Sequence, residues 1–138
     1  MRNIIIASLI LFSCEHNSYL IPQVNFEAAK SEATKKNTKI FIIFDVFGSS
    51  TKYVDNILKE EKIIKALSKF VVVRLMCDEK RMLNDSIFIG QFNSDLQIKL
   101  TGQFYQPMFC FLDKQGNRIA LPCGYSNKSE LLEYIQKN

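Results

Sequence analysis

Histidine is nearly absent: His16 is the single one in a chain of 138 residues. That scarcity argues against histidine-based triads and histidine-rich metal sites, and no metal or other cofactor is expected. Runs of positive charge are missing too. No stretch of Lys and Arg exceeds two residues, and "KEEK" and "DEKR" interleave them with acids, so a net charge of +4 reads as solvated faces and no nucleic-acid partner is expected. No apolar run approaches the about 20 residues that cross a bilayer as a helix. Internal repeats, low-complexity tracts and a second domain are also lacking. What is present is ordinary for one globular domain, with 47% apolar and 23% charged residues.

The first residues, "MRNIIIASLILFSC", combine one Arg, an apolar run from Ile4 to Phe12, and then Ser13 and Cys14. This run is short for a span and suits a signal-peptide core. Its ending "LFSC" resembles a bacterial lipobox, in which the cysteine is lipidated and becomes the mature N-terminus. A plain secretory signal or a buried first strand are the alternatives. The expected organisation is therefore a signal peptide over residues 1–14, a tether over 15–24 and one folded domain over 25–138. Cys14 is the candidate lipid attachment, and membrane contact is expected only through this lipid or signal. Removing the leader takes away Arg2 and leaves a net +3. The implied location is extracytoplasmic, on the periplasmic side of the cell envelope, or soluble and secreted if Cys14 carries no lipid.

From Asn25 the pattern is regular. Phe26, Ala29 and Ala33 recur at helical spacing behind Asn25 as N-cap. "KIFIIFDVF" is short, rich in β-branched and aromatic residues, and almost continuously apolar, which predicts a strand buried on both faces. "KYVDNILKEEKIIKALSK" predicts one or two helices with Val54, Ile57, Leu58, Ile63, Ile64 and Leu67 as the apolar stripe. "FVVVRLMCD" is a second strand, and a short helix is expected around "NSDLQIKL". "PMFCFLD", "KQGN" and "RIALPC" then read as a β-hairpin, and "SNKSELLEYIQKN" as a last helix capped by Ser126 or Asn127. This order predicts an α/β domain with a mixed sheet, parallel first and closed by an antiparallel hairpin, with helices on both faces.

That order is the thioredoxin-like one, and "YQPMFCFLDKQGNRIALPCGY" resembles the family's stretch of proline, strand, acidic turn with glycine, strand and Gly-Tyr. "FNSDLQIKLTGQFYQP" is similar to the C-terminal thioredoxin-like domain of bacterial thiol:disulfide interchange proteins of the DsbD type. The resemblance covers residues 25 to 136 and is most specific over 88 to 125. It implies that Pro107 follows a cis peptide bond, a state held by only about 5–6% of X–Pro bonds in folded proteins. It also implies that Pro107 faces the turn "VFGSST" across a shallow groove for an extended peptide. A strand-opening proline is the plainer reading.

Redox-active members of the family carry C-x-x-C at that turn, where a helix N-terminus lowers the first thiol's pKa and the second thiol resolves the mixed disulfide. Here Cys14, Cys77, Cys110 and Cys123 leave the turn without sulfur. Aligned on Asp45, which matches the family's buried acid, Thr51 and Val54 occupy the cysteine positions; aligned on Ile57, Leu58 and Ile63, Phe47 and Ser50 do. Hydroxyls cannot form a mixed disulfide, and no base near Ser50 is evident to activate it. Asp45 is then expected to be a structural buried acid. Cys77 and Cys110 sit inside strands and read as small buried hydrophobes. The strand of residues 40–46 should separate them, while Cys110 should fall roughly opposite Ala120 and so miss Cys123. Cys123 is the candidate lone reactive thiol, with burial as its plainer reading.

The leading functional reading is a thioredoxin-like protein without its redox pair that binds a polypeptide or envelope protein partner. Its candidate groove comprises Phe47, Gly48, Ser49, Ser50, Gln106, Pro107, Cys123 and Gly124, with Phe104 and Tyr105 as apolar neighbours. No catalytic residue is expected under it. The rivals are a thiol-disulfide oxidoreductase or isomerase working through Cys123 alone, and a structural subunit of an envelope assembly.

Overall fold

A computed structural model describes residues 20–124 and 127–138; the leader predicted above, with Cys14, and residues 15–19 of the tether lie outside the described residues. The elements run α1 (Phe26–Lys36), β1 (Ile40–Asp45), α2 (Ser49–Ile57), α3 (Glu61–Leu67), β2 (Val71–Met76), α4 (Ile89–Thr101), β3 (Met108–Leu112) and α5 (Lys128–Lys137). The sheet order is β2–β1–β3, with β1 parallel to β2 and antiparallel to β3. Every residue of β1 is buried, as the apolar run Ile40–Phe44 requires for a central strand covered on both sides, and Asp45 at its end is buried with them.

Strand alternation sorts the core into two layers. Ile40, Ile42 and Phe44 share one face with Val71, Val73, Leu75, Met108, Cys110 and Leu112, under Phe26, Ala29 and Ala33 of α1. Phe41 and Ile43 turn to the other face with Val72, Phe109 and Phe111, where α2, α3 and α5 supply Val54, Ile57, Ile63, Leu67, Leu131 and Ile135. Phe41 lies 5.9 Å from Phe109 and 5.1 Å from Phe111, ring centre to ring centre. Each such buried side chain contributes roughly 1.5–3 kcal/mol relative to exposure.

Caps close the helices where the sequence placed them. Asn25 accepts from the Ala28 N–H at 3.0 Å and Asn127 from the Glu130 N–H at 3.0 Å. Two elements differ from expectation. The helix expected around "NSDLQIKL" begins earlier, at Ile89, because Gly90 lets its first turn sit against the backbone of Cys77 and Glu79; a Cβ there would lie 2.6 Å from the Glu79 nitrogen. The return strand "RIALPC" is no continuous ladder. It touches β3 through isolated bridges at Leu112–Arg118 and Phe109–Cys123, since Pro122 lacks an N–H to pair. The folded body also takes in Gln23, placed in the tether by sequence, which bridges Val73 in parallel at the sheet edge.

Candidate functional site

The chain leaves β1 at Asp45 and turns into α2 through Gly48, whose φ of 111° lies where side-chain-bearing residues are strained. Alternation directs Asp45 to the α2 face, where it is fully buried. Its Oδ1 accepts the Val46 N–H at 2.8 Å and the Ser50 hydroxyl, while its Oδ2 accepts Arg74 Nε at 2.9 Å and Nη2 at 2.6 Å. All four acceptor positions of the carboxylate are thereby used. Arg74, from the neighbouring strand, continues to Asp55 Oδ1 at 2.6 Å and to the Thr51 carbonyl at 3.2 Å. The Thr51 hydroxyl donates to the Val46 carbonyl at 2.6 Å, and the Phe47 N–H donates to the Asp78 carboxylate at 3.1 and 3.2 Å. The turn is thus a closed polar cluster centred on Arg74, which pairs with both Asp45 and Asp55, with Phe47 standing out of it, 59% exposed.

Pro107 follows a cis bond from Gln106 and is itself buried. Met108 pairs with Phe44, so this segment enters the sheet at the end where β1 stops, beside the turn. Gln97 of α4 secures it. This fully buried amide donates from Nε2 to the Tyr105 carbonyl at 2.9 Å, and its Oε1 accepts from Gln106 Nε2 at 2.8 Å and from the Cys77 thiol at 3.3 Å. Asn93 and Ser94 on the same helix face bond the carbonyls of Met76 and Cys77 at 2.9 and 3.1 Å. Tyr105 in turn lies on Gly124, where a Cβ would come within 2.7 Å of the ring. Cys123 bridges Phe109, with N–H···O distances of 2.7 and 2.8 Å.

The residues singled out from sequence therefore gather at one end of the sheet. The turn 47–50, the 105–107 segment and Cys123–Gly124 are linked through Asp78, Cys77, Gln97 and Tyr105. Arg74, Asp55, Asp78 and Gln97 were missed. A signal for one of them was available, since Arg74 interrupts an otherwise apolar strand just as Asp45 does. Around this end Phe104 is 58% and Tyr105 48% exposed.

Cys77, Cys110 and Cys123 are thiols. Burial pushes both Cys77 and Cys110 up to about 11, out of reach of ordinary thiolate chemistry. Cys110 belongs to the α1 layer and Cys123 packs with the opposite layer, so they face away from each other across the sheet. Cys123 is half-buried and its thiol points to the Gly124 carbonyl at 3.5 Å. Among the described residues no group of His, Cys, Asp and Glu could hold a metal ion, and no helix is long and apolar enough to cross a membrane.

Solved structures decide the fold. A DsbH oxidoreductase superposes with a TM-score of 0.65 at 14% identity, over 87% of this chain and 86% of its own. The chain has a thioredoxin-like fold. A thioredoxin from Thermus thermophilus aligns at 0.64 and 15% identity over 85% of each chain. A poplar thioredoxin h mutant aligns at 0.59 and 16%, over 81% of this chain and 74% of its own. No protein-family model and no curated protein sequence matches. In this thioredoxin-like frame the strand-to-helix turn after β1 contains Phe47, Gly48, Ser49 and Ser50, and no sulfur.

Proposed function

We propose that this thioredoxin-like protein is exported, anchored in the cell envelope by lipid on Cys14, and binds an extended polypeptide without dithiol exchange. The observation that carries the reading is the saturated Asp45. Its carboxylate is committed to Arg74, Ser50 and the Val46 N–H, which leaves no group poised for proton relay and no thiol to receive one. Binding would use the rim of Phe47, Gly48, Ser49, Ser50, Gln106, Pro107, Cys123 and Gly124. An added strand would meet main-chain groups there, and Phe47, Phe104 and Tyr105 would supply apolar contact. Exposed aromatics are the side chains from which such interfaces draw most of their affinity.

A photocrosslinker placed at Ser50 in the full chain should trap a polypeptide in native membranes, and trapping should persist after complete thiol alkylation. Phe47→Ser and Tyr105→Ala should each weaken capture about tenfold. Capture abolished by alkylation, or sustained turnover of a dithiol substrate, rejects the reading. The second reading, a single-thiol oxidoreductase or isomerase, is favoured by one fact: Cys123 is the least buried of the three described thiols. Iodoacetamide labelling of Cys123 no faster than that of free cysteine discards it.

A further inference from the structure

The lysines that are scattered in sequence meet at one end of the fold. Helices α1, α3 and α5 each carry an acid in the first turn (Glu27, Glu61, Glu130) and lysine in the last (Lys35 with Lys36, Lys65, Lys137). The chain from α1 leads into β1 and that from α3 into β2; β1 and β2 are parallel, so both last turns lie where the strands begin. Lys39 bonds the main-chain oxygen of Asn138 and brings the end of α5 to the same place. The antiparallel pairing of Leu112 with Ile40 brings Lys114 there as well. Compensation of helix dipoles explains the helical lysines one at a time. Lys39 and Lys114 come from outside helices and also reach helix ends, Lys39 at Asn138 and Lys114 at the Asn37 side chain, 2.9 Å away; with Lys69 they line a depression of about 540 Å³. Lys69 also borders an adjoining depression of about 310 Å³ with Lys62 and Lys65. Two acids near these elements are already engaged: Glu32 with Lys36 and Gln23, and Asp113 with the N–H groups of Gln115 and Asn117.

The tether leaves from this same end. Gln23 runs parallel to β2, its N–H donating to the Val72 carbonyl at 2.7 Å, so continuing the register backward sets Leu20 beside Phe70, next to Lys69. Leu20 indeed packs in the layer that contains Phe70. From Cys14 an extended chain reaches Leu20 over at most about 20 Å.

We propose that the lysine end is a docking surface for an anionic lipid bilayer. On it the domain stands with the Phe47–Tyr105 rim turned away from the membrane. The proposal rests on the lipid-anchor reading of Cys14, and it extends membrane contact beyond the N-terminal lipid to the folded domain. Each lysine near an anionic surface adds to the attraction, which decays within about 8 Å at physiological salt, a distance such a tether keeps within reach.

The test is vesicle flotation of the full chain carrying Cys14→Ser, on phosphatidylcholine vesicles with and without phosphatidylglycerol. Binding to the anionic vesicles should exceed binding to neutral ones at least about tenfold at low salt and fall as salt is added. The exposed-site variant Lys35→Glu/Lys65→Glu/Lys69→Glu should lose this excess, while Lys52→Glu/Lys80→Glu, at the opposite end, should keep it. Circular dichroism verifies that both variants are folded. Equal binding to the two vesicle types, or equal loss in the two variants, overturns the proposal. So does displacement by inorganic phosphate beyond that of chloride at matched ionic strength, which would mark a small-anion site instead. Incorporation of labelled palmitate at Cys14 of the unaltered chain tests the anchor separately. A lipidated chain whose Cys14→Ser form ignores vesicle charge keeps the anchor and loses the docking surface.

Discussion

Asp45 and Arg74 form the most consequential pair in the molecule. They are 0% and 15% exposed, and the Asp45 side chain lies beneath the first turns of α2. Removing one partner of such a pair leaves a buried charge uncompensated, at a cost of about 3–5 kcal/mol, whereas replacing both with groups of similar shape costs far less. Arg74→Met should therefore lower stability by that amount in urea unfolding, and Asp45→Asn/Arg74→Met should recover most of it. A double variant as unstable as the single one would show that the pair is not the coupled unit described. Thiols give the pH dependence at this scale. Burial raises Cys77 and Cys110 from 9.0 to about 11, so folding favours their protonated forms. Their stabilisation is complete below pH 9 and is lost as pH rises toward about 11. Urea midpoints measured on either side of pH 9 should fall less steeply in Cys77→Ala/Cys110→Ala than in the parent.

At the scale of elements, α4 reverses the usual helix. Asn93, Ser94 and Gln97 are buried, while Phe92 and Ile98 are 36% and 50% exposed. The reason lies in its neighbours, because the end of β2 and the 105–107 segment present main-chain carbonyls that need donors. Gln97 alone joins Cys77, Tyr105 and Gln106. Gln97→Met should cost about 1–3 kcal/mol through the carbonyl and amide left unpaired. It should also speed hydrogen exchange at residues 103–106 and reduce peptide capture, with little effect on exchange in β1. Unchanged exchange there would remove α4 from any role in shaping the rim. Apolar periodicity found most of the helices, yet it understated this one, since a helix that buries amides does not show an apolar stripe.

At the scale of the whole fold, the sheet order keeps Cys77 and Cys110 apart. Cys110 lies on β3 and Cys77 just beyond β2, with β1 between them. Two strand spacings amount to about 9.6 Å, beyond the roughly 4.4–6.8 Å that a disulfide spans between Cα atoms. The urea midpoint should accordingly be the same with and without reductant, and a reductant-dependent shift would reveal an intramolecular bridge. The same topology separates two poles: an aromatic rim where the strands β1 and β2 end, and a lysine-rich end where they begin.

The sequence by itself determined the order of elements, the double burial of β1, the caps at Asn25 and Asn127, and the absence of sulfur from the turn. Each of these depends on residues close together in the chain, through periodicity, φ preference or composition. Tertiary structure alone decided that Arg74 closes on Asp45 across 29 residues, that Gln97 grips Tyr105 and Gln106, and that lysines from separate elements share one end. Those outcomes follow from strand register and from the direction in which each helix returns. Register fixes which side chains share a face, and no local pattern encodes which distant element will lie beside it.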